Sequence, residues 1–287
     1  MSKVLITGGA GFIGSSLADR LVQLKHEVIV FDNLSSGSEY KSSNLLDRPN
    51  FRLIKADVLD KSSLSKSIHG CVIVFHFAGN TESRLDSGDT NKDFEQNLLA
   101  TYNLLEVMRN STSCKKIIFA SSSAVYGEPD KIPTSEKYSP LVPISLYGAS
   151  KLGCEALISG YCHMFQMSGI VLRLSNVVGP RATHGVVYDF IIKLTKNPTY
   201  LDILGDGQQN KSYLYIDDCI DALTLMATMN KSTFQIFNMG SKDRRNVLDI
   251  ANIVVKELAL HNVRLRFTDR PDGRGWNGDT REMLLDS

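Results

Sequence analysis

The sequence predicts an α/β chain, built on a doubly wound parallel sheet with a smaller α/β lobe. Short apolar runs alternate with helical patterns over most of the chain: Val4 to Thr7, Val28 to Phe31, Phe51 to Ile54, Cys71 to Phe75, Lys116 to Ala120, Ile170 to Leu174 and Phe234 to Asn238. Such alternation implies parallel strands covered by helices on both faces, because each crossover must run right-handed over the sheet. The first run passes straight into glycines at 8, 11 and 14. Between Ser175 and Asp218 the pattern breaks into short pieces separated by glycine and proline, and Arg264 to Ser287 reads the same way. The expected division is therefore a nucleotide-binding unit of residues 1–175 and 219–262, with a lobe of residues 176–218 and 263–287.

Each element has a local reason. Glycine suits the turn after the first strand because one position must turn tightly, one must let backbone approach a pyrophosphate, and one must let the helix pack close. Phe12, Ile13, Leu17, Ala18, Leu21 and Val22 then recur at helical spacing, so a helix N-terminus would face that phosphate. The second strand ends in Asp32, about twenty residues beyond the glycines, where a carboxylate accepts both hydroxyls of an adenosine ribose. An acid there repels a 2′-phosphate, and neighbouring Asn33 and Leu34 offer no arginine, so NAD is expected rather than NADP. After the third strand, Asp57, followed by Val58, either accepts from the adenine amino group or caps the helix of Leu59 to Ile68. Phe77, Ala78 and Gly79 follow strand four, small enough at 78 and 79 for backbone to pass beside a cofactor. Thr90 to Arg109 reads as one long helix, and Asn97 inside it should bond something, since asparagine is disfavoured in a helix interior.

Composition narrows the class. At 287 residues the chain has ample length for a core, and its net charge of +1 with no basic run argues against nucleic acid and against an electrostatic membrane anchor. No apolar stretch approaches a membrane span, and the start enters a strand directly with no signal peptide. Five cysteines with no CxxC spacing suggest neither a disulfide framework nor a metal site. A reduced cytoplasm is the expected setting. The six histidines are scattered, and His76 reads as a core or loop residue.

The candidate chemistry lies where strand five runs into Ser121, Ser122 and Ser123. Tyr147 stands twenty-five residues after Ser122, and Lys151 follows it by four. On a helix from Leu146 to Phe165 that spacing puts phenol and ammonium on one face. A tyrosine at its ordinary value is a poor base near neutrality, and a nearby ammonium together with an oxidised nicotinamide favours the phenolate. Ser122 could then hold a substrate hydroxyl in line.

Taken together, TGGAGFIG, FAGN, the helix around Asn97, SSSAVYG, YGASK, SNVVGP and GDGQQNKSYLYIDD resemble the extended short-chain dehydrogenases/reductases. Within that family the likeness is to the NAD-dependent sugar-nucleotide epimerases and dehydratases, and it covers essentially the whole chain. It implies a Rossmann sheet, bound NAD, a catalytic set of Ser122, Tyr147 and Lys151, and a cofactor set of Gly8, Gly11, Gly14, Asp32, Asp57 and Lys151. The motifs around these add Phe12, Ile13, Asn33, Val58, Phe77, Ala78, Gly79, Asn97 and Tyr147 to the expected cofactor surface. For a UDP-sugar the resemblance points to Ser122, Ser123, Asn176 and Lys211, with Arg270 or Arg274 supplying a further charge to the diphosphate. Lys211 and Ser212 stand where the family usually has arginine and aspartate, which keeps the charge and loses the bidentate fork.

Ala124 occupies a position that is acidic in dehydrating and decarboxylating members, so the implied reaction is 4-epimerisation of a UDP-hexose. In that reaction Tyr147 takes the 4-hydroxyl proton while hydride leaves C4, the ketone turns over, and hydride returns to the other face. The resemblance also implies a homodimer through the helices of 90–109 and 147–165, with Val107, Leu157 and Tyr161 facing out. Arg84 and the residues from His184 to Tyr188 are further candidates for the sugar pocket.

Overall fold

The computed structural model describes residues 1–82, 84, 88–229, 233–268 and 270–287, the side chain of Tyr40 aside. Its order begins β1 (Lys3–Thr7), α1 (Phe12–Gln23), β2 (Glu27–Asp32), a 3₁₀ segment η1 (Glu39–Leu45), β3 (Phe51–Lys55), α2 (Lys61–Ser67) and β4 (Ile73–His76). Next come α3 (Asn91–Asp93), a π-helical stretch Phe94–Leu99, α4 (Ala100–Asn110), β5 (Lys116–Ser122) and α5 (Leu146–Met164). The remainder is β6 (Ser168–Leu174), β7 (Asn176–Val178), α6 (Val186–Lys196), β8 (Tyr200–Ile203), β9 (Asn210–Tyr215), α7 (Ile216–Thr228), β10 (Phe234–Met239), β11 (Arg244–Asn246), α8 (Val247–Glu257), β12 (Arg264–Phe267) and β13 (Glu282–Met283).

Seven strands form one sheet in the order β10-β6-β5-β4-β1-β2-β3, and every adjacent pair is parallel. This is the doubly wound Rossmann arrangement. The chain winds outward in both directions from β1, which lies between β2 and β4, so a crevice opens beyond the strand ends there. Apolar side chains fill both faces: α1 and α7 pack on one through Leu17, Leu21, Ile220 and Leu223, and α2, α4 and α5 on the other through Leu64, Leu104, Leu105 and Ile158.

The smaller sheets are β11-β9-β13, with β7 also pairing β9, and β12-β8. A third apolar cluster joins α6 to β8 and α8 through Phe190, Leu194, Leu201, Ile203, Ile250 and Val254. Here the packing differs from the sequence division. Residues 244–257 fall inside the stretch assigned to the nucleotide-binding unit, yet β11 pairs with β9 and α8 packs on α6. The apolar stripe of α8 has the helical period that any covering helix would show, so only packing decides which lobe it covers.

Two helices also differ from expectation. Asp60, not Asp57, caps α2, accepting from the Ser62 and Ser63 amides. The expected single helix over 90–109 is interrupted by the π-helical stretch that contains Asn97.

Candidate active site

A cleft of about 760 Å³ opens at the C-terminal edge of the large sheet and continues between that sheet and the smaller lobe. Its floor is the turn after β1. Gly8 adopts φ +69°, and a Cβ there would sit 2.5 Å from the Ala78 amide nitrogen. At Gly14 a Cβ would lie 2.4 Å from the Gly8 carbonyl oxygen, so the glycine lets α1 lie against the turn. No side chain caps α1 at Gly11, and Gly11, Phe12 and Ile13 all line the cleft. An uncapped helix start opening into a cleft fits a phosphate.

Beside it, the Asp32 carboxylate accepts from the Ala10 amide at 2.9 Å and the Leu34 amide at 2.8 Å. Asn33 donates to Asp57 at 2.7 Å, and Asp57 accepts from the Leu59 amide as well, so these two side chains close one end of the cleft. Val58, Phe77, Ala78 and Gly79 complete that wall.

The second wall carries the serines and the helical pair. Ser122, Ser123, Ala124, Tyr147 and Lys151 all line the cleft. Lys151 is 5% exposed, and its ammonium donates to the Ala120 carbonyl at 3.0 Å. That ammonium lies 5.8 Å from the Tyr147 ring centroid and 4.8 Å from that of Phe119. The i, i+4 spacing therefore does bring cation and phenol together. Ser145 caps α5 by accepting from the Gly148 amide, which fixes the turn on which Tyr147 stands.

Asn97 sits behind this wall rather than in it. It is 2% exposed and does not line the cleft; its carbonyl oxygen accepts from the Asn80 amide at 2.8 Å, while its amide donates to Asp93 and, at 2.8 Å, to Ser150. Ser150 in turn donates to the Tyr147 carbonyl. These bonds tie the loop after β4 to the start of α5. A π-helical stretch turns this polar side chain inward, a local irregularity that often accompanies functional sites.

On the lobe side, Asn176 and Lys211 line the cleft, together with Arg84 and His184 through Tyr188. Lys211 pairs with Asp279 at 2.6 Å, and Arg84 pairs with Asp189 at 3.0 Å. Arg270 and Arg274 do not line it. Arg270 donates to Asn277 at 2.6 Å, and Arg274 pairs with Glu128 at 2.6 Å while donating to the Asp279 carbonyl. Arg274 holds the tail to the loop after β5 and Arg270 bonds within the tail, uses the spacing of RPDGRGW could not reveal.

Two features escaped the sequence reading, Trp276 and the Arg173–Glu155 pair, while His76 is in the core as the sequence suggested. Trp276 lines the cleft between Arg84 and Lys211, whose charged groups lie 5.2 and 5.4 Å from its ring centroid, and its indole nitrogen is buried with no partner. His76 is fully buried between the Thr7 hydroxyl at 2.6 Å and the Thr101 hydroxyl at 3.0 Å. Burial, and secondarily the Lys151 charge, lowers its pKa to about 3, so it stays neutral. Beneath strand five, Arg173 pairs with Glu155 at 2.7 Å, both almost fully buried, and Ser121 donates to the same carboxylate. Only an orphaned donor or a fold could have shown these.

All five cysteines are buried, and burial pushes Cys114, Cys162 and Cys219 up to about 12, which leaves no thiolate for nucleophilic chemistry there. No group of metal-ligating side chains and no helix long and apolar enough to cross a membrane occurs among the described residues.

Comparison with known proteins accords with this geometry. A Methanocaldococcus jannaschii protein carrying the provisional name UDP-glucose 4-epimerase is 36% identical over 263 residues, covering 90% of this chain and 83% of its own length. A crystal structure of UDP-galactose 4-epimerase superposes with a TM-score of 0.84 at 41% identity, covering 99% of this chain and 88% of the other. The UDP-glucuronic acid 4-epimerase of Bacillus cereus, solved with UDP-glucuronic acid and NAD, gives 0.89 at 29% identity, covering 99% and 90%. The sequence profile of the NAD dependent epimerase/dehydratase family matches residues 4–240, and the chain belongs to that family of sugar-nucleotide enzymes.

Proposed function

We propose that the chain inverts the C4 hydroxyl of a UDP-hexose of the glucose/galactose type, using NAD held in the cleft. The observation that carries this reading is the convergence of Ser122, Tyr147 and Lys151 on one cleft wall, with Ala124 presenting a methyl group beside them. When bound, NAD supplies reversible hydride acceptance. The protein supplies the rest. Tyr147 exchanges a proton with the 4-hydroxyl at its phenolic oxygen, Ser122 orients that hydroxyl, and Lys151 places a positive charge beside both. A second proton transfer, as in dehydration or decarboxylation, would call for an acid at the end of strand five, and Ala124 offers none.

In the same reading the glycine turn and α1 receive the pyrophosphate, Asp32 takes the adenosine ribose, and Asp57 with Asn33 closes on the adenine. Asn176 and Lys211 take the substrate diphosphate, with Trp276 donating its indole hydrogen nearby. In the lobe wall, Arg84 pairs with Asp189 and Lys211 with Asp279. We also propose a homodimer through the outer face of α4 and α5, where Tyr102 is exposed and Val107, Leu157 and Tyr161 are only partly covered.

Incubating the purified protein with UDP-galactose, without added NAD, tests the reaction. UDP-glucose is expected, with no net NADH. Stoichiometric NADH would instead make the enzyme a dehydrogenase, and turnover of UDP-glucuronate in preference to UDP-galactose would overturn the sugar assignment. Light scattering that reports a monomer would remove the dimer.

A further inference from the structure

Where β5 and β6 meet α5, both strands are apolar until near their ends. Phe119 and Val171 pack there with Cys154 and Ile158 of the helix. Two residues on, at the next position of the same face, stand Ser121 and Arg173. They are partners across the parallel pair, so their side chains rise side by side toward α5. Opposite them the helix presents Glu155, and all three residues are at most 3% exposed. A position so deeply buried ordinarily takes an apolar side chain.

The cluster is densely bonded. Arg173 meets both carboxylate oxygens of Glu155, through Nε at 3.1 and 3.2 Å and a terminal nitrogen at 2.7 Å. Its other terminal nitrogen donates to the Tyr126 hydroxyl at 2.9 Å, and that hydroxyl donates to Asn238 on β10. Ser121 gives its hydroxyl hydrogen to the Glu155 carboxylate. Such a buried pair is a poor source of stability, because desolvating two charges offsets most of their attraction and an apolar pair of similar volume often does as well. What it supplies is alignment. A helix displaced by one residue moves about 1.5 Å and turns about 100°, which would separate a carboxylate from its donors at once.

That alignment bears on the cleft. Tyr147, Lys151 and Glu155 follow one another on α5 at intervals of four. Lys151 bonds the Ala120 carbonyl, Glu155 bonds the Ser121 hydroxyl, and the next residue of β5 is Ser122. We propose that Glu155, held by Ser121 and Arg173, is a positioning residue that sets the register of α5 on β5, and so the place of Tyr147 and Lys151 relative to Ser122. The inference rests on the acid/base reading of those three residues and deepens it. A misplacement of about 1 Å at a reacting group can lower a rate about 100-fold, so a device that adds alignment without adding stability has a use here.

Two variants test this. Ser121→Ala cuts the tie to β5 and leaves the ion pair, and Glu155→Leu combined with Arg173→Met replaces the pair by apolar packing. Activity is read on UDP-galactose, with melting temperature and NAD retention measured in parallel. The double variant is expected to melt close to the wild type and keep its NAD, with kcat down about 100-fold and KM within about threefold. Ser121→Ala should lose about tenfold in kcat. In both, the acid limb of the kcat profile should move to higher pH, since an ammonium no longer held in place favours the Tyr147 phenolate less. A folded double variant with wild-type kcat and pH profile overturns the proposal, as does a rise in KM with kcat unchanged. If the double variant fails to fold, Ser121→Ala decides: wild-type kcat with an unmoved acid limb makes the cluster structural and overturns the proposal, and a lowered kcat with a shifted limb at unchanged melting temperature sustains it. A wild type inactive on every UDP-sugar would overturn the acid/base reading itself and the positioning role with it, whereas the other failures strike only the latter.

Discussion

On the sheet side of the cleft, positions are fixed by backbone and by buried side chains. Gly14 touches Gly8, Gly8 touches Ala78, Asn97 joins Asn80 to Ser150, and Lys151 is anchored on a carbonyl of strand five. On the lobe side, ion pairs hold the wall between segments far apart in sequence, namely Arg84 with Asp189, Lys211 with Asp279, and Arg274 with Glu128. Arg84, Asp189, Arg274 and Glu128 are part-exposed, and such pairs contribute little stability and yield to a competing charge, whereas Asp279 beneath Lys211 is buried. The contrast assigns precision to one wall and adjustment to the other. A proton and a hydride need fixed distances, whereas a diphosphate can be met by cations that exchange partners as it arrives.

Substitutions can break that contrast. The largest effect is expected at Tyr147→Phe, which should lower kcat by about 10³-fold or more while bound NAD, read by absorbance after purification, is retained. Full activity would remove the assigned acid/base. Next, Gly14→Val places side-chain atoms where even a Cβ would meet backbone at 2.4 Å. A loss of about 3 kcal/mol in denaturant unfolding is expected, along with lost NAD; a neutral result would show that the sheet-side wall is looser than described.

A pH series sharpens the same wall. His76 has its pKa lowered to about 3, so between that value and about 6.5 the unfolded chain takes up a proton that the folded chain does not. Stability from this group is complete above pH 6.5 and declines as the pH falls toward 3, with a slope approaching about 1.4 kcal/mol per pH unit. His76→Gln should flatten that part of the profile, and an unchanged slope would locate the acid sensitivity elsewhere. The smallest effect is expected across the cleft. Lys211→Met should raise KM for the UDP-sugar about tenfold with kcat nearly unchanged, since it removes uniform binding rather than transition-state stabilisation. A large fall in kcat there would mean that the lobe wall also positions the reacting atoms.

Much of the sheet side was legible because its signals are local. The glycine spacing, the acid at the end of strand two and the tyrosine and lysine four apart each lie within one turn or one helix, and the structure brings all of them to one cleft. The lobe was less legible. Arg270 and Arg274 carry the same charge as Lys211, and nothing in RPDGRGW distinguishes an arginine that faces the cleft from one that pairs with Glu128 across 146 positions of sequence. Asn97 shows the intermediate case: its helix propensity announced a bonded side chain, but the partner, Ser150, stands 53 residues away.

By itself the sequence determined the strand and helix periods, the turn that needs glycine and the residue types for acid/base work, because these depend on backbone sterics and on neighbours within a turn. The tertiary structure alone decided which lobe α8 covers, which cations face the cleft, that His76 lies between Thr7 and Thr101, and that the Lys41, Ser42 and Arg181 side chains carry unpartnered polar atoms. Those outcomes depend on burial and on pairing between distant segments, and a linear pattern of residue types contains neither quantity.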